Sequence, residues 1–263
     1  MTLEADTALE PAGEGRWRAE ISEGWWIQRG PYGGYISALL MRAAVAAVAD
    51  EQRPPRSFTA HFIDAPVAGP AELTATVERA GRSSTALSLR MEQDGKPVAL
   101  ALAGFGQWRD GEPEWTDTQA PDAPAPEDCP PVKRVEGMPR FIDRLEVRWV
   151  DGGSPGHGGD HARNLAWVRL AEGGPLDLAA VTALSDTWMP AAFSKLGRFA
   201  IVPTFDLTIH YRAPLPAAGE WLLADYHSRV SAGGGWDEDG ELWARDGTLV
   251  AQSRQLAMMR EPR

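Results

Sequence analysis

Two parts of the chain each contain one nearly apolar stretch flanked by segments in which hydrophobic and polar residues alternate. In the first part, alternation places Trp17, Ala19 and Ile21 on one side of a predicted strand. The apolar stretch at 33–49 is rich in Ala and Leu, which predicts a mostly buried helix. Because apolar side chains surround this helix, it must be wrapped by the alternating segments, which predicts an antiparallel sheet curled around one helix. Four more such segments follow, at residues 58–62, 73–77, 87–91 and 98–105.

The second part repeats this order. A helical segment at 175–197 begins with Pro175 and ends at Gly197, as helices often do, although Pro190 must kink or interrupt it. The predicted strands of this part are at residues 144–150, 162–170, 205–211, 221–230, 241–245 and 249–259.

Two sequence blocks support a duplication. SFTAHFIDAPVAGP at 57–70 and TFDLTIHYRAPLPAAG at 204–219 both end in Ala-Pro and a turn of small residues. Each is followed by an Asp-Gly turn, at Asp94 and Asp246, that leads into an apolar strand. The spacing between the copies is too long for a solenoid repeat, so we predict a duplicated domain.

A segment at 111–132 separates the two copies. It is dense in Pro, Asp and Glu and has no hydrophobic periodicity, so it cannot order itself alone. We predict an N-terminal domain at 1–110, a linker at 111–132 and a C-terminal domain at 133–263.

Composition and charge exclude several classes of partner. The 263 residues carry a formal net charge of −11, and no run of Lys and Arg exceeds two residues, so we expect neither nucleic acid nor an anionic membrane as a partner. The longest apolar run, at 38–49, is interrupted by Arg42 and is too short to cross a bilayer. The N-terminus has no signal-peptide core, and the single Cys129 cannot form an intrachain disulfide. These features predict a cytoplasmic protein.

The order of the blocks resembles the double hotdog fold, an α+β architecture of two tandem domains, each with a long helix wrapped by a curved antiparallel sheet. More specifically, the chain resembles the acyl-CoA thioesterase II family over roughly residues 25–107 and 175–260. Six blocks in order carry the resemblance: GGYISALLMRAA, SFTAHFIDAPVAG and ERAGRSSTALSLRMEQDGKPVALALAGF in the first half, and ALSD, PTFDLTIHYRAP and DGTLVAQSRQLAMMR in the second.

The resemblance implies three catalytic residues in the second half, Asp186, Thr204 and Gln255. Proteins of this family use an Asp, a Thr or Ser, and a Gln to activate a water that attacks the thioester carbonyl, with no cofactor and with acyl-CoA as substrate. A carboxylate can deprotonate that water, and the hydroxyl and amide groups can orient it. Alignment of the two Asp-Gly turns places Ala103 opposite Gln255, so we expect one active site per chain.

Several residues are candidates for substrate binding. Gly33 and Gly34 could offer backbone N–H groups to a thioester oxygen or a phosphate, or they could serve only close packing of the helix. Bulky side chains near the predicted site could line the acyl tunnel, and their size favours short, branched or aromatic acyl groups. These candidates are Trp25, Trp26, Tyr32, Trp188, Met189 and Phe193.

Other interpretations of the sequence remain open. The chain could be a non-catalytic protein that binds acyl-CoA or an acyl chain, with Asp186 on a helix surface, Thr204 as an ordinary strand residue and Gln255 facing solvent. A hotdog hydratase is disfavoured because its G-D-x-N-P-x-H block is absent, and a serine hydrolase because there is no G-x-S-x-G elbow. His157 and His161 lie in a Gly-rich loop, so we expect no metal. Exposed sheet edges predict a homodimer or a higher symmetric oligomer.

Overall fold

The computed structural model describes residues 2–27, 30–109, 111–136, 138–152, 158–187, 189–198 and 200–259. Its α-helices are α1 (Leu3–Asp6), α2 (Gly33–Val48), α3 (Leu178–Leu184) and α4 (Ala192–Lys195). Its strands are β1 (Glu10–Pro11), β2 (Arg16–Ile21), β3 (Pro55–Phe62), β4 (Gly69–Ala80), β5 (Ser84–Gln93), β6 (Lys96–Gly106), β7 (Leu145–Gly152), β8 (Arg163–Leu170), β9 (Thr204–Tyr211), β10 (Leu222–His227), β11 (Ser231–Ala232), β12 (Gly235–Ala244) and β13 (Leu249–Met258). Three short 3₁₀ helices are at Glu23–Trp25, Pro126–Asp128 and Arg140–Arg144.

The strands form one continuous sheet in the order β1-β2-β4-β5-β6-β3-β9-β13-β12-β10-β8-β7, with β11 paired to β12. The two halves join where β3 pairs antiparallel with β9, and there Thr59 lies opposite Thr208 with their hydroxyl oxygens 3.0 Å apart. These strands belong to the two repeated blocks, so the copies of the duplication are neighbours at the centre of the molecule. The sheet wraps two helical segments, which confirms the double hotdog fold.

The first predicted helix is confirmed as α2. It ends where Ala49 adopts a left-handed conformation with φ of 47°, just before the Pro-rich turn. Leu39, Leu40 and Met41 have no exposed surface, as expected for a helix with apolar side chains on nearly all sides. Its central Arg42 reaches the edge of the core, where it forms a 2.7 Å ion pair with Asp177 at the start of α3.

The helical segment predicted over 175–197 is interrupted, as Pro190 indicated, but its helical parts are shorter than predicted. Asp177 caps the N-terminus of α3 by accepting from the Ala180 N–H at 2.9 Å, but the helix ends at Leu184, and only the short α4 follows beyond Pro190. Proline lacks the N–H that a continuing helix requires. The predicted kink or interruption is a break of several residues, and the break contains Asp186.

The Pro-rich segment between the halves packs against the sheet of the second half. The Trp167 indole donates to the Pro124 carbonyl at 2.9 Å, and Arg245 makes two hydrogen bonds to the Glu127 carboxylate at 3.0 and 3.1 Å. Cys129 is buried there in a cluster with Leu165, Trp167, Trp221, Leu223 and Trp243. The segment is thus ordered by aromatic surface that it covers, while the predicted domain boundaries stay predictions. Within the described ranges, no helix combines the length and the hydrophobicity needed to cross a membrane.

Candidate functional site

The end of α3 is held by hydroxyl groups from three other elements. Its last carbonyl groups have no partner within the helix, so they need donors from elsewhere. Tyr32 donates to the carbonyl of Ala183 at 3.3 Å, Tyr226 to that of Leu184 at 2.7 Å, and Ser253 to that of Ser185 at 2.9 Å. These contacts determine where the chain leaves the helix and therefore where the next residue, Asp186, enters the interior.

Asp186 lies at the N-terminus of α2, which belongs to the first half of the chain. The Gly34 N–H donates to its carboxylate. A Cβ atom on Gly33 would lie 2.8 Å from Asp186 Oδ2, and one on Gly34 would lie 2.5 Å from the Ala183 carbonyl oxygen. The two glycines therefore permit close packing and also supply a backbone donor to Asp186. Their predicted role as donors to a substrate stays a prediction.

Thr204 and Gln255 meet Asp186 from two neighbouring strands. The Thr204 hydroxyl donates to Gln255 Oε1 at 2.9 Å, and the Gln255 amide donates to the Asp186 carboxylate. Gln255 is only 9% exposed, which excludes the interpretation that it faces solvent. All three residues predicted to be catalytic are thus brought together, Asp186 from the break after α3, Thr204 from the start of β9 and Gln255 from β13.

A second carboxyl group belongs to the same cluster. Glu238 on β12 is 5% exposed, and its Oε1 accepts from Gln255 Nε2 at 2.8 Å. Burial raises the pKa of Asp186 to about 7, although the hydrogen bonds from Gly34 and Gln255 act in the opposite direction. Burial and the nearby charge of Asp186 raise the pKa of Glu238 to about 8. A carboxylate with a pKa near 7 is well matched to accept a proton at neutral pH.

The cluster lines a small cavity of about 50 Å³. This volume accommodates water but is well below the roughly 300 Å³ at which pockets for drug-sized ligands begin. The cavity walls combine the polar cluster with apolar side chains from the break after α3 and from β12 and β13. The lining residues are Asp186, Thr187, Pro190, Val202, Thr204, Trp236, Glu238, Gln255 and Ala257.

Three of the residues predicted to line an acyl tunnel lie near the cavity. Tyr32 is adjacent to Asp186, whose charge adds to the effect of burial in raising the pKa of the tyrosine hydroxyl. Phe193 packs edge-to-face on Trp236 with ring centroids 5.9 Å apart, so it supports a wall of the cavity from behind. Met189 packs against the cluster that contains these two rings.

The structure does not bring Trp25 or Trp26 to this cavity. Trp25 has no exposed surface, because it stacks on Tyr35 with centroids 5.5 Å apart and its indole donates to Asp6 at 2.9 Å. Trp26 packs against the main core, and its carbonyl accepts from the Phe141 N–H at 3.3 Å. Trp25 is therefore an interior residue of the first half, and Trp26 is a partly buried residue at the edge of the same core. Trp188 lies outside the described residues.

Sequence reasoning missed Glu238 and Trp236 because it started the strand too late. The predicted strand began at residue 241, whereas β12 begins at Gly235. The run WDEDGE contains four charged residues and reads as a loop, yet Trp236, Glu238 and Leu242 are buried on one side of the strand. Their spacing of two was the signal that could have identified it.

The matching positions of the first half hold no such groups. Ala103 lies opposite Phe58 in the register in which Gln255 lies opposite Leu207, as the alignment of the Asp-Gly turns predicted. In the same comparison, Leu87 takes the place of Glu238 and Pro55 the place of Thr204. Alanine, leucine and proline side chains cannot orient a water molecule.

The histidines and acidic residues of the described ranges form no group of three or more that could hold a metal ion. His227 lies 3.0 Å from the Asp225 carboxylate, which Arg163 also contacts at 2.9 Å. His157 lies outside the described residues.

Comparison with known proteins identifies chains that are similar over most of the length of this one. The family models of the N-terminal and C-terminal domains of acyl-CoA thioesterases match residues 22–106 and 126–259, respectively. An uncharacterized protein of Mycobacterium tuberculosis is 28% identical over 274 residues, which cover 91% of this chain and 89% of that protein.

Two solved structures extend the comparison to three dimensions. A hot dog fold protein of unknown function from Alicyclobacillus acidocaldarius has a TM-score of 0.88 at 28% identity and covers 99% of this chain and 98% of that one. The acyl-CoA thioesterase II TesB2 of Mycobacterium marinum has a TM-score of 0.79 at 21% identity, and the coverage is 99% of both chains. At the lower identity, the likeness concerns the fold alone.

Proposed function

Because the chain belongs to the acyl-CoA thioesterase family, we propose that it hydrolyses an acyl-CoA to the free acid and coenzyme A at the cluster of Asp186, Thr204 and Gln255. The observation that supports this proposal best is the convergence of the three side chains on one cavity, with a carboxyl group whose pKa is raised to about 7. Perturbed carboxyl groups in a cavity are typical of catalytic sites.

In the proposed reaction, Asp186 is the general base. Its carboxylate removes a proton from a water molecule while the water oxygen bonds to the thioester carbonyl carbon. The intermediate then collapses, the carbon–sulfur bond breaks, and the proton passes from Asp186 to the departing sulfur. No covalent bond to the protein forms at any stage.

Thr204 and Gln255 have distinct parts in this scheme. The Thr204 hydrogen is engaged by the Gln255 carbonyl oxygen, so the hydroxyl oxygen keeps its lone pairs for a hydrogen of the attacking water. A water held between this oxygen and Asp186 has its own lone pair free for the thioester carbon. Such fixed orientation is a large source of rate enhancement in enzymes.

The apolar part of the cavity wall affects which acyl groups the site can accept. A cavity of about 50 Å³ admits the reacting atoms but not an acyl chain. Pro190, Val202 and Trp236 form the apolar side of that wall, and their bulk favours short or branched acyl groups. The cytoplasmic location and the homodimer or higher oligomer stay predictions.

The test is thiol release from a panel of acyl-CoAs that runs from short to long chains and includes aromatic acyl groups. We expect turnover on some members and its collapse in Asp186→Asn. The matched control is Asp206→Asn, which makes the same change on β9 at a carboxylate that does not line the cavity. Binding of acyl-CoA without turnover of any member would instead indicate a non-catalytic binding protein.

A further inference from the structure

Both carboxylate oxygens of Glu238 are occupied by donors from different parts of the cavity wall. Oε1 accepts from Gln255 Nε2 at 2.8 Å, and Oε2 accepts from the backbone N–H of Ala191. We propose that Glu238 is a positioning residue that holds the Gln255 amide in the one orientation that leaves Thr204 able to bind the attacking water. This inference rests on the proposed hydrolase function.

The argument starts from the two ends of the Gln255 amide. A glutamine can present either its oxygen or its NH₂ group to a neighbour, and the choice depends on the partners. With Glu238 accepting on one side, the NH₂ group must face it, and the amide oxygen faces Thr204. A flipped amide would place its oxygen against the Glu238 carboxylate and its NH₂ group against the Thr204 oxygen. That contact would take up one of the two lone pairs of the hydroxyl oxygen and leave the Thr204 hydrogen without its acceptor.

The contact between Asp186 and the Gln255 amide changes during the proposed reaction. Asp186 also accepts from the Gln255 amide, but as the general base it takes up a proton and loses its charge during the attack. Glu238 takes no part in that proton transfer, so its contact with Gln255 persists through the reaction cycle. The orientation of the Gln255 amide is therefore maintained by Glu238, which transfers no proton in the proposed reaction.

The second contact of Glu238 links the amide to the cavity wall. Ala191 directly follows Pro190, which lines the cavity, and the chain has just left the break after α3. A glutamine at position 238 would offer one oxygen and one NH₂ group, so it could accept properly from only one of the two donors. Glu238→Gln thus keeps the size of the side chain but prevents it from accepting from both Gln255 and Ala191.

At about pH 9, where Glu238 is ionised and both of its oxygens accept, we expect Glu238→Gln to lower kcat roughly 10- to 100-fold with KM changed by less than about threefold. The reason is that misplacement of a reacting group by about 1 Å can reduce the rate by about a hundredfold. The matched control is Glu241→Gln. Glu241 and Gln252 form the same kind of pair across β12 and β13, with Nε2 to Oε1 at 3.0 Å, but neither lines the cavity. The Glu241→Gln variant should retain kcat within about twofold of the wild type, because it displaces no reacting group.

A double-mutant cycle separates positioning from simple damage to the fold. If Glu238 acts through Gln255, adding Glu238→Gln to Gln255→Ala should cause no further loss of kcat. Multiplicative losses, or an equal loss in Glu241→Gln, would overturn the inference.

A direct measurement does not depend on turnover. In a ¹⁵N NMR spectrum, the side-chain amide signal of Gln255 can be assigned by its disappearance in Gln255→Ala. Glu238→Gln should shift this signal and speed its exchange with solvent, whereas Glu241→Gln should leave it in place. An unchanged signal in Glu238→Gln would refute the positioning role even if the protein hydrolysed no acyl-CoA. Absence of acyl-CoA hydrolysis, with the NMR shift present as expected, would refute the proposed function but not the positioning role.

Discussion

Asp186→Asn should stabilise the fold at alkaline pH while it removes activity. Burial raises the pKa of Asp186 from 3.8 to about 7, so the folded protein pays to ionise a group that the unfolded chain ionises freely. Each pKa unit corresponds to about 1.4 kcal/mol, so the full effect above pH 7 is about 4 kcal/mol. This is an upper limit for the gain, since the new NH₂ group would face the donors of Gly34 or Gln255.

The sign of the pH dependence follows from proton binding. Between about pH 4 and pH 7, the folded state holds a proton on Asp186 that the unfolded state has released, so wild-type stability falls as the pH rises through this window. Asp186→Asn removes the ionisable group, so the variant does not lose this stability as the pH rises. Its advantage over the wild type should therefore grow by about 3 kcal/mol between pH 5 and pH 8.

Urea unfolding followed by tryptophan fluorescence at pH 5 and pH 8 measures this difference. Glu238 is close enough to be coupled to Asp186, and the loss of a neighbouring charge lowers its pKa in the variant. The coupling extends the window to about pH 8 but does not reverse its sign. A difference between variant and wild type that is the same at both pH values would refute the buried, proton-holding Asp186 described above.

Three further predictions concern the reaction itself. Thr204→Val should lower kcat roughly 10- to 100-fold with little change in KM, since it removes the oxygen that orients water, and equal kcat values would contradict that role. Gly33→Ala should reduce kcat at least about tenfold, because its Cβ would meet Asp186 Oδ2 at 2.8 Å and Phe62 at 2.9 Å, whereas Gly197→Ala meets nothing within 4 Å and serves as the control. Trp236→Phe should shift the ratio of kcat/KM values toward longer or bulkier acyl-CoAs, and an unchanged ratio across the panel would remove Trp236 from the specificity wall.

The helices show where sequence reasoning succeeded and failed. The helix α2 was predictable because its apolar residues on all sides leave few alternatives to a wrapped helix. The segment after α3 was not, because a proline only marks a break and does not say how many residues leave the helix. That length depends on distant hydroxyl groups, such as those of Tyr226 and Ser253, which find the helix carbonyls only in the folded chain.

The site shows the same division. Asp186, Thr204 and Gln255 could be proposed from the order of the sequence blocks, and the fold brings them together. The buried Glu238 could not, because a carboxylate in a charged run is normally solvated, and its burial depends on partners from other elements. Trp25 was misassigned to the tunnel because side-chain bulk indicates burial but not which interior space is filled.

The glycine pair at the start of α2 has a consequence for how such duplicated chains can change. The matching positions of the first half hold Ala103, Leu87 and Pro55, yet this half supplies the helix terminus that contacts Asp186. If the first halves of related proteins were exchanged, the incoming half could differ at Ala103 or Leu87, but it would have to keep Gly33 and Gly34. Selection on the second half is in this way transmitted to the first, so the two copies cannot drift apart independently.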